Sequence, residues 1–306
     1  MIHDSKKRVI VTGGAGFIGS HLVDALVDRG YHVVIIDDLS TGKKERIHPK
    51  AEFYNKDIRN FDDIAPLFKN ATYVFHTAAL PRVQFSITYP QRTHDVNVTG
   101  TLNVLLASRD AGVKRVIYSA SSSAYGNQAT LPFHEDMAPH PISPYGLQKF
   151  QGELLCRMFS DVYNLETVSL RYFNVYGPRA SAEGAYALVI VTFLEQRKAG
   201  KPLTVVPDGK QSRDFTHVRD VVGANMLAAE STRVGRGEVI NIGASNNKTV
   251  EYIAALIGGP TVFIEPRLEP KHGRADITKA KELLGWDPQV KFEEGIMELK
   301  KLYGID

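Results

Sequence analysis

Residues 8 to 30, RVIVTGGAGFIGSHLVDALVDRG, constrain the fold of this chain more than any other part of it. A short β-branched run leads directly into Gly13, Gly14, Gly16 and Gly19, and an amphipathic helical pattern follows. Gly13 and Gly14 allow a tight turn, Gly16 lets backbone approach a pyrophosphate, and Gly19 lets the helix pack closely on the strand. The helix N-terminus is then aimed at the anion. A second apolar run, HVVIID, ends at Asp37, 18 residues after Gly19, where a carboxylate would bind a ribose 2′-hydroxyl. Asp37 and Asp38 would repel a phosphate at that position, which favours NAD over NADP despite Lys43 and Lys44 nearby.

The same alternation continues. Apolar runs at 8–12, 32–37, 73–78, 115–120 and 167–172 are separated by helical patterns near 17–29, 60–69, 90–111 and 145–163. Strands buried on both faces and alternating with helices imply right-handed crossovers in a parallel sheet. The expected fold class is therefore α/β, a doubly wound parallel (Rossmann) sheet. After Asn174 the pattern loosens into short strands, helices and Pro/Gly turns, predicting a smaller mixed α/β C-terminal lobe. The expected division is 1–174, with a returning segment near 214–243, and 175–306.

With 306 residues, the chain buries a large core without staples. Its 37 Lys and Arg nearly cancel 34 Asp and Glu, and no long basic run marks a nucleic-acid or membrane surface. A small-molecule partner is expected. The single cysteine, Cys156, excludes an intrachain disulfide and fits a packing role, the histidines show no metal spacing, and no metal is expected. No signal peptide or transmembrane run is evident, so a cytoplasmic location is expected.

Two later segments carry chemistry, SASSSAYG at 119–126 and SPYGLQKF at 143–150. Tyr145 and Lys149 are four apart on a predicted helix and share one face. That helix follows the strand at 115–120, and parallel sheets bind ligands at the C-terminal ends of their strands. A lysine ammonium and a positive nicotinamide ring would lower the tyrosine pKa toward neutrality and give a general base. His76, at the end of an apolar strand, reads as a satisfied structural histidine. Lys6, Lys7 and Arg8 read as a solvated run.

These motifs, with Asp57-Ile58, HTAAL at 76–80, NVTGTLNVL at 97–105, RYFNVYGPR at 171–179, SRDFTHVRDV at 212–221 and ADITKAKELLGWDP at 275–288, resemble the extended short-chain dehydrogenase/reductases. Within them the chain looks like the UDP-sugar 4-epimerases, over essentially its whole length. The resemblance implies that Tyr145 is the base, that Lys149 lowers its pKa and binds the nicotinamide ribose, and that Ser121 hydrogen-bonds the reacting sugar oxygen. It implies cofactor contacts at Gly13, Gly16, Phe17, Ile18, Gly19, Asp37, Asp38, Ser40, Thr41 and Gly42. Further contacts follow at Asp57 and Ile58 against adenine, at Thr77, Ala78, Ala79 and Pro81, and at Ser119, Tyr172 and Val175. On the substrate side it implies Ser122, phosphate contacts from Asn174 and Arg213, and backbone contacts to uracil near Ala187 and Leu188. A loop one residue shorter than the usual pattern makes Arg267 the expected phosphate ligand, with Arg274 as runner-up.

Family members that eliminate water from a nucleotide sugar carry an Asp-Glu pair, and decarboxylases a glutamate, where this chain has Ser122 and Ser123. Hydroxyls of normal pKa cannot supply a second acid and base, which leaves reversible oxidation at the sugar C4. Gly273, two positions before Ala275-Asp276, would leave volume for an acetamido group, and EGAYALVI at 183–190 looks like the segment of epimerases that act on N-acetylated sugars. The alternatives are a UDP-glucuronate 4-epimerase, with Arg82 or Arg179 on the uronate carboxylate, and a non-catalytic NAD-binding sensor. Arg82 and Arg179 are equally well read as surface or loop-capping arginines. Apolar stripes at Val98, Leu102, Leu105 and Leu106 and at Leu154, Leu155, Met158 and Phe159 predict a homodimer through a four-helix bundle.

Overall fold

The computed structural model describes residues 7–181, 189–265 and 272–305. The chain runs β1 (Arg8–Thr12), α1 (Phe17–Asp28), β2 (His32–Asp37), β3 (Glu52–Asn55), α2 (Phe61–Ile64) and β4 (Ala71–His76). Next come α3 (Val83–Thr88), α4 (Pro90–His94), a π-helical segment (Asp95–Thr99), α5 (Gly100–Asp110), β5 (Arg115–Ser121), α6 (Pro144–Tyr163) and β6 (Glu166–Tyr172). The second half holds β7 (Val175–Tyr176), α7 (Val189–Lys198), β8 (Leu203–Val205), β9 (Ser212–Asp214), β10 (Thr216–His217), α8 (Val218–Glu230) and β11 (Arg236–Ile242). It closes with β12 (Asn247–Thr249), α9 (Val250–Ile257), β13 (Thr261–Phe263), α10 (Thr278–Leu284) and α11 (Phe292–Tyr303).

Seven strands form one parallel sheet in the order β11-β6-β5-β4-β1-β2-β3. Alternate residues feed opposite cores. Val9, Val11, Val33, Ile35 and Phe75 pack with Leu22 and Val23 of α1 and Val221 of α8, whereas Ile10, Val34, Ile36 and Val74 pack with Val104 of α5 and Phe159 of α6. A third core joins α7, α9 and α11 through Phe193, Leu194, Ile253, Ile257 and Leu299. The strand order reverses between β1 and β4, so the ligand crevice lies at the C-terminal ends of these strands.

Three details refine the expected elements. The helix read across 90–111 is continuous over 90–110, α4 passing through the π-helical segment into α5, and Asn97 within that segment is buried. The helical pattern near 60–69 is a four-residue α2 followed by a 3-10 turn over Ala65–Phe68. Of the proposed dimer stripes, Leu105 and Phe159 are buried in the core beneath the sheet, so only part of each stripe faces outward.

Candidate active site

The crevice begins where β1 stops. Gly13 takes φ 73°, donates its N–H to Ile36 O and accepts from Gly16 N–H. A Cβ on Gly13 would lie 2.7 Å from the Ala78 backbone, and one on Gly19 would strike Gly13 O. Only glycines permit both this crossing and the close seat of α1 on the turn. Gly16 caps α1 without a side-chain bond, which leaves the first-turn N–H groups, including those of Phe17 and Ile18, facing the crevice mouth. The opposite wall is the loop after β4: Thr77 donates its hydroxyl to Thr12 O at 2.7 Å, and Ala79 and Pro81 follow.

Asp37 is where the sequence puts it, at the end of β2 and only 6% exposed. Its Oδ2 accepts the Ala15 N–H (2.9 Å) and its Oδ1 the Leu39 N–H (2.8 Å). Burial pushes its carboxyl up while these two bonds pull it down. Each oxygen keeps a lone pair for a ribose hydroxyl. The loop above it is tied down by Lys43 N–H to Ala15 O and by Asp38, which accepts from the Ser40 N–H and hydroxyl. Thr41 at its crest is exposed, and a Cβ on Gly42 would fall 2.7 Å from Asp37 Oδ1. At the adenine end, Asp57 pairs with Arg59. The Ile58 side chain is packed under Gly100 and its carbonyl accepts from Asn103, so only its N–H is left for a ligand.

Tyr145 and Lys149 sit in the first two turns of α6, capped by the Ser143 hydroxyl, and the Tyr145 N–H donates to Ser86 Oγ of α3. The phenol is 8% exposed and hydrogen-bonds Ser121 at the end of β5. Ser121 in turn donates to Ser123 Oγ at 3.0 Å, in a short 3-10 turn that also holds Ser122. Lys149 Nζ donates to Ser119 O at 2.8 Å and lies 5.0 Å over the Tyr118 ring. The Ser119 hydroxyl contacts Tyr172, which is fixed by Asn225 on α8. Val175, on β7, is buried just beyond this contact.

Burial pushes the Tyr145 phenol up to about 12, and the Ser121 bond is what favours its ionised form. Lys149 is itself lowered to about 8 by burial and donates its bond to a carbonyl. Behind Lys149, Glu153 and Arg171 form a two-bonded buried ion pair at 2.8 and 2.7 Å, with Arg171 4.4 Å over the Tyr125 ring. Sequence reading missed this pair, although Glu153 lies four residues after Lys149 on the same helical face. It also missed Asn97, whose amide holds both Leu80 backbone groups and Gln148 of α6, locking the crevice wall to the catalytic helix.

On the far side, Asn174 donates to Asp214 O, and Arg213 lies next to Asp214 on β9. Gly273 faces Phe133, with 3.8 Å between that ring and an added Cβ. Arg274 lines a separate cavity of about 400 Å³ with Pro132, Lys281 and Asp287, and none of Tyr145, Arg213 or Gly273 borders it. Ala187, Leu188 and Arg267 lie outside the described residues. Arg82 stands exposed at the start of α3. Arg179 pairs with Asp24 of α1 at 2.8 Å, and its carbonyl accepts from Arg46.

The family model described as NAD dependent epimerase/dehydratase family matches residues 9–243. The chain belongs to this family. It is similar to the UDP-glucose 4-epimerase of Thermotoga maritima solved with UDP-glucose, with a TM-score of 0.91, 40% identity and coverage of 96% of this chain and 99% of that one. The UDP-N-acetylglucosamine 4-epimerase of Methanobrevibacter ruminantium M1, solved with UDP-N-acetylmuramic acid, gives a TM-score of 0.93 at 37% identity over 97% of this chain and 98% of that one. The UDP-glucuronate 4-epimerase of Thermodesulfobacterium geofontis is 34% identical over 308 residues, 94% of this chain and 93% of that protein. The residues present fit the family's NAD: the glycine cradle would be filled by any Cβ, the uncapped α1 N-terminus faces the crevice, and Asp37 stands where a ribose would end. Among the described residues, no helix is long and apolar enough to cross a membrane.

Proposed function

We propose that the protein is a UDP-sugar 4-epimerase that interconverts UDP-glucose with UDP-galactose and also accepts the N-acetylated pair. The observation that carries this reading is the Tyr145–Ser121 contact at the end of β5, flanked by Ser122 and Ser123 rather than by carboxylates. Tyr145 takes the proton of the C4 hydroxyl and Ser121 holds the C4 oxygen. Bound NAD supplies the two-electron oxidation of the sugar at C4 and its reversal. The 4-keto sugar turns about its diphosphate and presents its other face, which requires the nucleotide to be gripped and the sugar to be held loosely. Arg213 and Asn174 serve the grip. Ser122 and Gly273 leave the sugar side small. Among the uronate-binding candidates, Arg179 is engaged by Asp24, and this weighs against the glucuronate reading.

Supplying UDP-galactose, UDP-N-acetylgalactosamine and UDP-glucuronate separately, and reading products by NMR, tests the assignment. Turnover of the first two is expected. Gly273→Tyr should suppress the N-acetylated pair about tenfold or more relative to the plain hexose, because the ring fills the space beside Phe133. Turnover of UDP-galactose with none of UDP-N-acetylgalactosamine would narrow the protein to a simple hexose epimerase.

A further inference from the structure

One buried aspartate on β9, outside the catalytic group, ties three other segments: two through its carboxylate and one through its backbone carbonyl. Asp214 is fully buried at the end of β9; its Oδ1 accepts the Ala244 N–H (2.8 Å), and its Oδ2 accepts those of Ser245 (3.0 Å) and Ala275 (2.9 Å). The Asn246 N–H also bonds it. Its own backbone carbonyl accepts from Asn174 Nδ2 at 2.9 Å. Burying an ion costs far more than burying a neutral group, so a carboxylate persists there only because backbone donors surround it. Three of the segments so tied carry substrate-side residues: Arg213 precedes Asp214 on β9, Asn174 hangs on its carbonyl, and Gly273 lies two residues before Ala275. The packing is close, since a Cβ on Gly243 would lie 2.9 Å from Asp214 Oδ2.

We infer that Asp214 is a positioning residue for the nucleotide half of the substrate, fixing Arg213, Asn174 and the Gly273 segment at the spacing that binds a uridine diphosphate. The inference rests on the UDP-sugar reading above. Asp220 provides a matched comparison: it too is a buried aspartate holding backbone N–H groups, those of Gln289 and Val290, but it touches none of these segments. Replacing Asp214 with asparagine turns one acceptor into a donor facing N–H groups, so bonds are lost with little change of volume.

Calorimetric titration of UDP into the NAD-loaded wild type, Asp214→Asn and Asp220→Asn separates the possibilities. For Asp214→Asn the UDP Kd and the KM should rise roughly 10- to 100-fold, while kcat stays within about threefold and NAD content is unchanged. Asp220→Asn should bind UDP within about threefold of wild type. Wild-type UDP affinity in Asp214→Asn overturns the inference, and so does equal weakening in both variants, which would mean general loosening. A wild type that binds no UDP overturns the underlying substrate reading instead. Amide exchange in the unmutated NAD-bound protein needs no variant to fold: UDP should slow exchange at 244–246 and 273–276 more than at 286–290. Equal exchange with and without UDP contradicts the inference.

Discussion

Tyr145 and His76 show how the same burial serves two purposes at the residue scale. Burial pushes the Tyr145 phenol up to about 12, and the Ser121 bond works against that rise. His76 is lowered to about 3 by burial, with Lys149 adding to the effect. Its Nδ1 meets Thr12 Oγ1 at 2.7 Å and its Nε2 meets Thr101 Oγ1 at 2.9 Å. Because the Thr101 hydroxyl donates to Asn97 O, Nε2 carries the proton and Nδ1 accepts from Thr12. This neutral imidazole braces β1, β4 and α5 beneath the crevice, in keeping with the structural role read from the sequence. A folded pKa below the unfolded one means stability present above about pH 6.5 and lost as pH falls toward 3. The stability advantage of wild type over His76→Asn in urea unfolding should therefore shrink by about 1.4 kcal/mol per unit below pH 6.5. A constant difference from pH 7 to pH 4.5 would mean that His76 does not titrate with folding.

At the scale of elements, α6 couples packing to chemistry. Gly152 lies against Tyr118, and an added Cβ would run into its hydroxyl, so the close approach of α6 to β5 at this point requires a glycine. Tyr145 and Lys149 are placed by that approach. Gly152→Ala should cost about 1–3 kcal/mol in denaturant unfolding and lower kcat more than KM. Unchanged stability and kcat would show that the helix has slack. The elements readable from sequence are those whose environment is uniform: β1, β2, β4, β5 and β6 are continuous apolar runs because helices cover both faces of the sheet. The edge strand β3 is half exposed and lacks a continuous apolar run, and α3 is too short to display a period. The glycine turn, Asp37, Ser121, Tyr145 and Lys149 were legible because local spacing defines them. Asn97, Glu153–Arg171 and Asp214 were not, because their roles depend on partners distant in sequence or on a π-helical segment that periodicity does not reveal.

For the whole molecule, Arg179–Asp24 and the Arg46 bond to the Arg179 carbonyl clasp the segment after β7 to α1 and to the loop after β2. The outer face of α6 exposes Leu147, Leu154, Met158 and Val162, beside Val83 and Ile87 of α3. A contiguous apolar face of this kind is unusual on a monomer. A homodimer through this face is expected, with light scattering at micromolar concentration giving twice the 33.9 kDa chain mass and Leu154→Glu reducing it to one. A wild-type monomer would show that the face stays uncovered. If C4 loses and regains its own hydrogen with Tyr145 as the base, epimerisation of UDP-galactose in D₂O followed by NMR will show it. UDP-glucose should form with protium retained at C4 and no deuterium on the sugar carbons, and Tyr145→Phe should slow this by about 10²-fold or more. Deuterium appearing on a ring carbon during turnover, or a Tyr145→Phe protein as fast as wild type, would contradict it.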